Sequence, residues 1–302
     1  MVERSVMVQQ EAHGKDWTLY QADCVDFARQ MPSASVDYSV YSPPFASLYI
    51  YSDSVCDLGN CADDAEFMEQ YRYLVREMHR VLRPGRVVSV HCKDLVNYKG
   101  RDGMAGLRDF PGEIIKLHVD EGFAYHSRVT IWKDPVIEMQ RTKAHGLLYK
   151  QLRADATFSR QGLAEYVLTF RKWAKEGEDV GPVTHTRDDF PLDQWQQWAS
   201  PVWTDIRQTN VLNVKQARSG NDEKHICPLQ LDLIERCIVL WSNPGETVFS
   251  PFAGIGSEGV CALKLGRKFL GTELKESYWR DACGYLRASQ QTSADLFIED
   301  AA

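Results

Sequence analysis

A chain of 302 residues with 44% hydrophobic and 11% aromatic content can bury a full core, as one large domain or two small ones. No apolar run approaches the roughly 18 residues that span a bilayer. Residues 1–15 are polar with charges of both signs, unlike a signal peptide, so a cytoplasmic protein with no membrane partner is expected. The net charge of −7 argues at first against a polyanionic partner, yet Arg141 to Lys175 holds eight Lys or Arg against two acids, a basic stretch on an acidic body.

No repeat or low-complexity segment interrupts the chain. Apolar runs alternate with amphipathic helices, which predicts an α/β fold with a largely parallel sheet. Trp17 to Ala22 reads as a strand ending at Asp23-Cys24, followed by a short helix that Met31-Pro32-Ser33 breaks. Val36 to Tyr41 is the next strand. It runs into Ser42-Pro43-Pro44-Phe45, where two prolines cannot continue a central strand and a loop must begin. Glu66 to Leu82 is the clearest helix, with Phe67, Tyr71, Leu74, Val75, Met78, Val81 and Leu82 on one face. Pro84-Gly85 stops it, and Val87 to His91 is a strand. Phe110 to Glu121 is helical up to Gly122, Ala124 to Trp132 alternates as a strand does, and Tyr166 to Phe170 is another strand. Pro182 to Gln216, rich in Trp, Asp and Gln, reads as irregular. Leu229 to Trp241 is a helix, Asn243-Pro244-Gly245 a turn, and Thr247 to Phe249 a strand. Gly254-Ile255-Gly256 opens a helix over Glu258 to Leu265, Lys268 to Thr272 is the last strand, and the polar tail after Arg287 is expected to fray.

The eight cysteines form no Cys-x-x-Cys pair. Cys56 and Cys61 have the spacing of half a metal site, but several others lie in apolar segments where a free thiol acts as a small hydrophobe, and reduced structural thiols are the favoured reading, so no metal is expected.

Three strand ends carry the suspicious residues: Asp23, Ser42 to Phe45, and Phe252 to Gly256 together with Glu273. Open parallel sheets bind ligands beyond the carboxyl ends of their strands. The Gly-x-Gly turn lets a ligand approach the backbone, and the helix after it offers free amide donors. Glu273 closes the next strand, where an acid can accept from both ribose hydroxyls. A third glycine at the dinucleotide spacing is absent, which disfavours a pyrophosphate, and Gly-Lys-Ser/Thr is absent too, so a nucleoside with a small charged tail fits better. In Ser-Pro-Pro-Phe the prolines free their carbonyls, Ser42 supplies an oxygen and Phe45 a flat face, a set that fits a planar ring bearing an amino group. A rigid turn remains the plainer reading of either motif taken alone.

Together these residues resemble the DNA amino-methyltransferases whose catalytic motif precedes the cofactor motif, the beta arrangement. Ala22-Asp23-Cys24 and Val36-Asp37 leading to Ser42-Pro43-Pro44-Phe45 look like the opening unit. Arg80 to Gly85 is similar to the helix-to-strand corner, Lys224-His225-Ile226-Cys227-Pro228 to the motif before the cofactor strand, and Ser250 to Ser257 to the cofactor loop. Gly266 to Glu273 and Tyr278 complete the pattern. The resemblance implies a Rossmann-like class I methyltransferase fold over one domain, 1–302, with a mostly parallel seven-stranded sheet and permuted motif order. It implies S-adenosyl-L-methionine as methyl donor. Phe252, Gly254, Gly256 and Ser257 would line its methionine part, Glu273 would hold the ribose, Asp23 beside Cys24 the adenine, and His225 and Pro228 would close one side. Ser42, Pro43, Pro44 and Phe45 would hold the target base. The cofactor loop departs from the family pattern at Ser250, where Asp is usual, and at Glu258, after the small hydroxyl Ser257.

DNA is the partner this implies, and the base must be flipped out of the duplex. Arg141, Lys143, Lys150, Arg153 and Arg160 are the candidate phosphate contacts, and region 134–218 is the expected inserted target-recognition element. In the family, Ser before Pro-Pro goes mostly with N4 of cytosine and Asp or Asn with N6 of adenine, so cytosine is favoured and adenine is the alternative. RNA or protein amine methylation and an inactive DNA-binding homologue are lesser readings. Family members are often dimers and often accompany a restriction nuclease, and the sequence decides neither.

Overall fold

The computed structural model describes residues 8–44, 61, 64–142, 145–212 and 228–299. Eleven strands are present among them: β1 (Gln10–His13), β2 (Trp17–Gln21), β3 (Tyr38–Tyr41), β4 (Val87–Lys93), β5 (Leu95–Asn97), β6 (Gly106–Arg108), β7 (Ala124–Ile131), β8 (Glu165–Arg171), β9 (Val202–Trp203), β10 (Thr247–Ser250) and β11 (Lys268–Glu273). Apart from the small β5–β6 ribbon they form one sheet in the order β1-β2-β11-β10-β3-β4-β8-β7-β9. The run from β2 through β10 and β3 to β4 is parallel. β8 is antiparallel to both its neighbours, and β1 is antiparallel to β2. The expected seven strands therefore run from β2 to β7, and β1 and β9 extend the two edges.

The helices are α1 (Cys24–Gln30), α2 (Asp64–Val81), α3 (Lys99–Asp102), α4 (Phe110–Asp120), α5 (Pro135–Thr142), α6 (Tyr149–Ala154), α7 (Leu192–Trp198), α8 (Leu231–Trp241), α9 (Ser257–Lys264) and α10 (Glu276–Glu299). The tail after Arg287, expected to fray, continues α10.

Successive residues of the central strands point to opposite faces and both faces are covered, so the strands read as unbroken apolar runs. Tyr41, Val88, Leu168 and Phe249 pack on one side with α1, α2 and α4. Their chain neighbours Val40, Val87, Val167 and Val248 pack on the other with α8, α9 and α10. Cys24, Cys61, Cys92, Cys237, Cys261 and Cys283 are buried within these layers, while Cys56 lies outside the described residues. From β10 the sheet grows one way through β11 to β2, and from β3 the other way to β4. The strand order thus reverses between β10 and β3, and a crevice opens beyond their carboxyl ends. Region 134–218 is divided by β8, which belongs to the central sheet. Outside the sheet the region contributes α5 and α6 on one side of β8 and α7 on the other.

Candidate active site

Three loops meet at that crevice. The first follows β2. Asp23 caps α1, its Oδ1 accepting the Asp26 N–H at 2.8 Å. Burial pushes the Asp23 carboxyl up from the usual carboxylate range, partly opposed by the cap hydrogen bond. Cys24 beside it is buried, and burial raises its thiol well above the ordinary value, so it packs as a neutral group.

The second loop joins β10 to α9. Ala253 N–H donates to the Thr272 carbonyl at 2.9 Å, and Thr272 Oγ1 donates to the Pro251 carbonyl at 2.8 Å, which ties the loop to β11. Gly254 and Gly256 have φ of 53° and 92°, left-handed values that a side chain resists. A Cβ on Gly254 would meet nothing within 4 Å, so this glycine faces open space, whereas one on Gly256 would lie 3.2 Å from the Ala282 Cβ. Gly256 is the N-cap of α9, and Ser257 and Glu258 are buried in its first turn. Glu273 Oε2 accepts the Gly254 N–H at 2.8 Å and its Oε1 accepts the Lys275 N–H at 2.9 Å. This carboxylate therefore shapes the glycine loop itself. Ser250, in place of the usual Asp, is fully buried with no partner for its Oγ among the described residues. The open side of Gly254, the bare N-terminus of α9 and the half-buried Glu273 make a cradle that fits the nucleoside and charged tail of S-adenosyl-L-methionine.

The third loop is Ser42-Pro43-Pro44 after β3, with Pro43 buried and the other two half-buried. The Phe252 ring sits 5.7 Å from the Tyr41 ring, so the loop after β10 packs on the last residue of β3, just ahead of Ser42. Tyr41 is fixed from below by its hydroxyl, 2.9 Å from that of Tyr71. Tyr278 is buried against Ile255, and Pro228 is half-buried ahead of α8. Phe45, Lys143 and His225 lie outside the described residues, as does the side chain of Arg141. Lys150 and Arg153 are exposed on α6, none of whose residues is buried. Arg160 is half-buried, with Nη1 donating to the Gln161 carbonyl at 3.3 Å.

Three polar residues of the site escaped the sequence reading. His91 Nδ1 lies 3.2 Å from Ser42 Oγ, and His91 Nε2 lies 3.2 Å from Glu165 Oε2. Lys133 Nζ lies 2.8 Å from the same carboxylate oxygen. His91 had a signal: it is the polar residue near the carboxyl end of the strand next to that of Ser42. Glu165 starts β8, and only the antiparallel register, Lys93 opposite Glu165, brings that start to the active end of the sheet.

A DNA methylase family model, covering N6- and N4-methyltransferases, matches residues 36–283. The chain belongs to the DNA methylase family. Within this family it is 25% identical over 271 residues to the type II methyltransferase M1.MboII of Moraxella bovis, covering 87% of this chain and 94% of the relative. It is 24% identical to the DNA adenine methyltransferase YhdJ of Escherichia coli K12, covering 92% and 85%. In fold it is similar to the DNA modification methylase TTHA0409 of Thermus thermophilus, solved in complex with S-adenosyl-L-methionine, with a TM-score of 0.63, 23% identity and coverage of 88% and 91%. It is also similar to the cytosine-N4-specific PvuII DNA methyltransferase, with a TM-score of 0.61, 15% identity and coverage of 90% and 86%. The fold and the permuted motif order expected of a methylase are both present, and S-adenosyl-L-methionine is the methyl donor of this family.

Proposed function

We propose that this methylase transfers a methyl group from S-adenosyl-L-methionine to N4 of a cytosine flipped out of duplex DNA. One observation carries the reading: the strand order brings Ser42-Pro43-Pro44 and the loop from Phe252 to Gly256 to adjacent carboxyl ends, β3 and β10. Two ligands held there, a planar base on one side and a nucleoside on the other, are neighbours. Much of the rate then comes from alignment, for which positioned reactants supply about 7–11 kcal/mol of the barrier.

The cofactor supplies a methyl group already activated by a sulfonium charge. Ser42 Oγ and the Pro43 carbonyl accept the hydrogens of the base amine, and Phe45 stacks on the base and offsets part of the few kcal/mol that flipping costs. Glu273 accepts from the ribose, Asp23 from the adenine amine, and His225 with Pro228 closes the cofactor side. Lys150 and Arg153 on the exposed α6 contact phosphates, with the surrounding region 134–218 reading the target. The serine ahead of Pro-Pro favours cytosine. The likeness to YhdJ, named an adenine methyltransferase, supports adenine N6 as the second reading.

Incubating unmodified DNA with S-adenosyl-L-methionine, followed by nucleoside mass spectrometry, tests this directly. N4-methylcytosine is expected. N6-methyladenine in its place would overturn the choice of base, and no methylated nucleoside at all would overturn the activity. Replacing Ser42-Pro43 by Ala-Ala is expected to lower methylation by at least about 10²-fold while cofactor affinity by calorimetry stays within about twofold.

A further inference from the structure

Beneath Ser42 lies a buried polar chain that the transfer step leaves unused. It draws on five segments: Ser42 after β3, His91 in β4, Glu165 at the start of β8, Lys133 after β7, and Gln230 at the N-cap of α8. His91, Glu165 and Lys133 are only 6%, 4% and 5% exposed. The contacts run in series. Ser42 Oγ is 3.2 Å from His91 Nδ1, and His91 Nε2 is 3.2 Å from Glu165 Oε2. Lys133 Nζ and Gln230 Nε2 reach that same oxygen at 2.8 Å and 3.5 Å. Burying two charges and an imidazole forfeits their hydration, and apolar side chains of the same volume would fill the space without that cost.

The direction of each hydrogen bond follows from what the groups can give. Burial alone would raise the Glu165 carboxyl, but His91 and Lys133 beside it outweigh burial and hold it well below the usual range. It is an anion and accepts only, so His91 donates its Nε2 proton to it. A neutral ring with its proton on Nε2 carries a lone pair on Nδ1, and Ser42 must be the donor in that contact. The hydroxyl has one hydrogen. Spent on Nδ1, it leaves the Ser42 lone pairs facing the base amine. The other orientation, donation to the His91 carbonyl at 3.3 Å, offers the same acceptor but no route for a proton.

We propose that His91, oriented by Glu165, fixes the Ser42 hydroxyl as an acceptor toward the target amine and takes up the proton that the methylated amine sheds. The proposal rests on the methyltransferase reading above. The amine nitrogen forms its bond to the methyl carbon as the carbon–sulfur bond breaks, and that electron pair stays on sulfur. The nitrogen, now positive, gives a proton to Ser42 Oγ while the Ser42 proton moves to His91 Nδ1. The imidazolium is held by the Glu165 carboxylate and later returns its proton to solvent, so charge and atoms balance. Lys133 keeps Glu165 ionised, so the carboxylate orients and stabilises without taking the proton itself, the division of roles in other serine–histidine–carboxylate chains. His91 does not reach the base. It is a positioning residue that acts through Ser42, and the groups facing it are Ser42 from the loop and Glu165 from β8, with Lys133 and Gln230 one contact further on.

Single-turnover methyl transfer at saturating cofactor and DNA tests this with His91→Gln, Glu165→Gln, Ser42→Ala and the double variant Ser42→Ala with His91→Gln. His91→Gln is expected to slow transfer by about 10²-fold, with cofactor affinity within about twofold of wild type. It should also abolish the acid limb of the pH–rate profile, which a structural role would not do. Glu165→Gln slows transfer in the same direction. The double variant is no slower than Ser42→Ala alone, because the two residues work as one unit. A His91→Gln enzyme with the wild-type rate and acid limb, or losses that multiply in the double variant, overturns the relay. Where His91→Gln fails to fold, the isosteric Glu165→Gln decides by its rate and pH profile. A wild-type protein that methylates no DNA refutes the activity, whereas an active wild type with both glutamine variants undiminished refutes the relay alone.

Discussion

Glu258 shows how far one side chain departs from its ordinary chemistry beside the β10–α9 loop. It lies in the first turn of α9, where the helix dipole favours a negative charge by roughly 0.3–1 kcal/mol. Burial works the other way and wins. Its carboxyl is pushed up to about 8 by burial, opposed by a backbone hydrogen bond and reinforced by the nearby Glu273 carboxylate. Since one unit corresponds to about 1.4 kcal/mol, the dipole is the smaller effect. The consequence for stability has a definite sign. The folded protein keeps this proton up to about pH 8, while the unfolded chain releases it near the ordinary glutamate value, so stability from this group is full at low pH and falls as pH rises through that window. Glu258→Gln removes the dependence. Its stability advantage over wild type in urea unfolding is expected to grow by on the order of 2 kcal/mol between pH 6 and pH 8.5. A constant difference would mean that the carboxylate is ionised and solvated in the folded state.

At the scale of elements, the two glycines of the β10–α9 loop divide their work. Gly256→Ala puts a methyl group 3.2 Å from Ala282 at a φ of 92° and is expected to destabilise the fold by roughly 1–3 kcal/mol. Gly254→Ala, at a φ of 53°, meets no atom within 4 Å, so its methyl group enters the proposed cofactor space. It should keep more of the stability than Gly256→Ala yet lose at least about tenfold in cofactor affinity, roughly 1.4 kcal/mol. Affinity retained by Gly254→Ala would remove the cradle. Strand, glycine turn, helix and Glu273 were all legible because each is local: the apolar run, the turn residues and the next strand follow one another directly along the chain. The helix expected over Glu66 to Leu82 appears as Asp64–Val81 because its buried face recurs at helical spacing. The strand expected from Val36 begins only at Tyr38, since Val36 instead bridges to Leu82 and the Asp37 carboxylate accepts the Thr247 N–H at 2.9 Å. What stayed illegible lacks burial or locality. β1 buries only Ala12 and shows no alternation, and α6 buries nothing, so neither has an apolar stripe to read. His91, Glu165 and Lys133 are brought together by sheet register across dozens of residues, which no spacing rule records.

For the whole molecule, the question is how a chain of net charge −7 approaches DNA. The basic stretch from Arg141 to Lys175 is less available than its count suggests, because several cations are already engaged. Lys172 donates to the Leu82 and Arg80 carbonyls at 2.6 Å and 3.3 Å, and burial pulls its amine down. The Arg171 guanidinium lies over the Trp173 ring at 5.1 Å, and Arg160 is half-buried. Lys150 and Arg153 are exposed on a helix with no buried residue, and they are the proposed phosphate contacts. Each phosphate neutralised steepens the fall of log affinity with log salt by about 0.9. Replacing Lys150 and Arg153 by Ala is therefore expected to weaken binding to any duplex alike and to make that slope shallower by about 2. Lys172→Ala should lower thermal stability and leave the slope unchanged, since its charge serves backbone carbonyls at the end of α2. Equal slopes for wild type and the Lys150/Arg153 double variant in a salt titration by fluorescence anisotropy would place α6 away from the DNA. A loss confined to one target sequence would instead make these two side chains readers of bases.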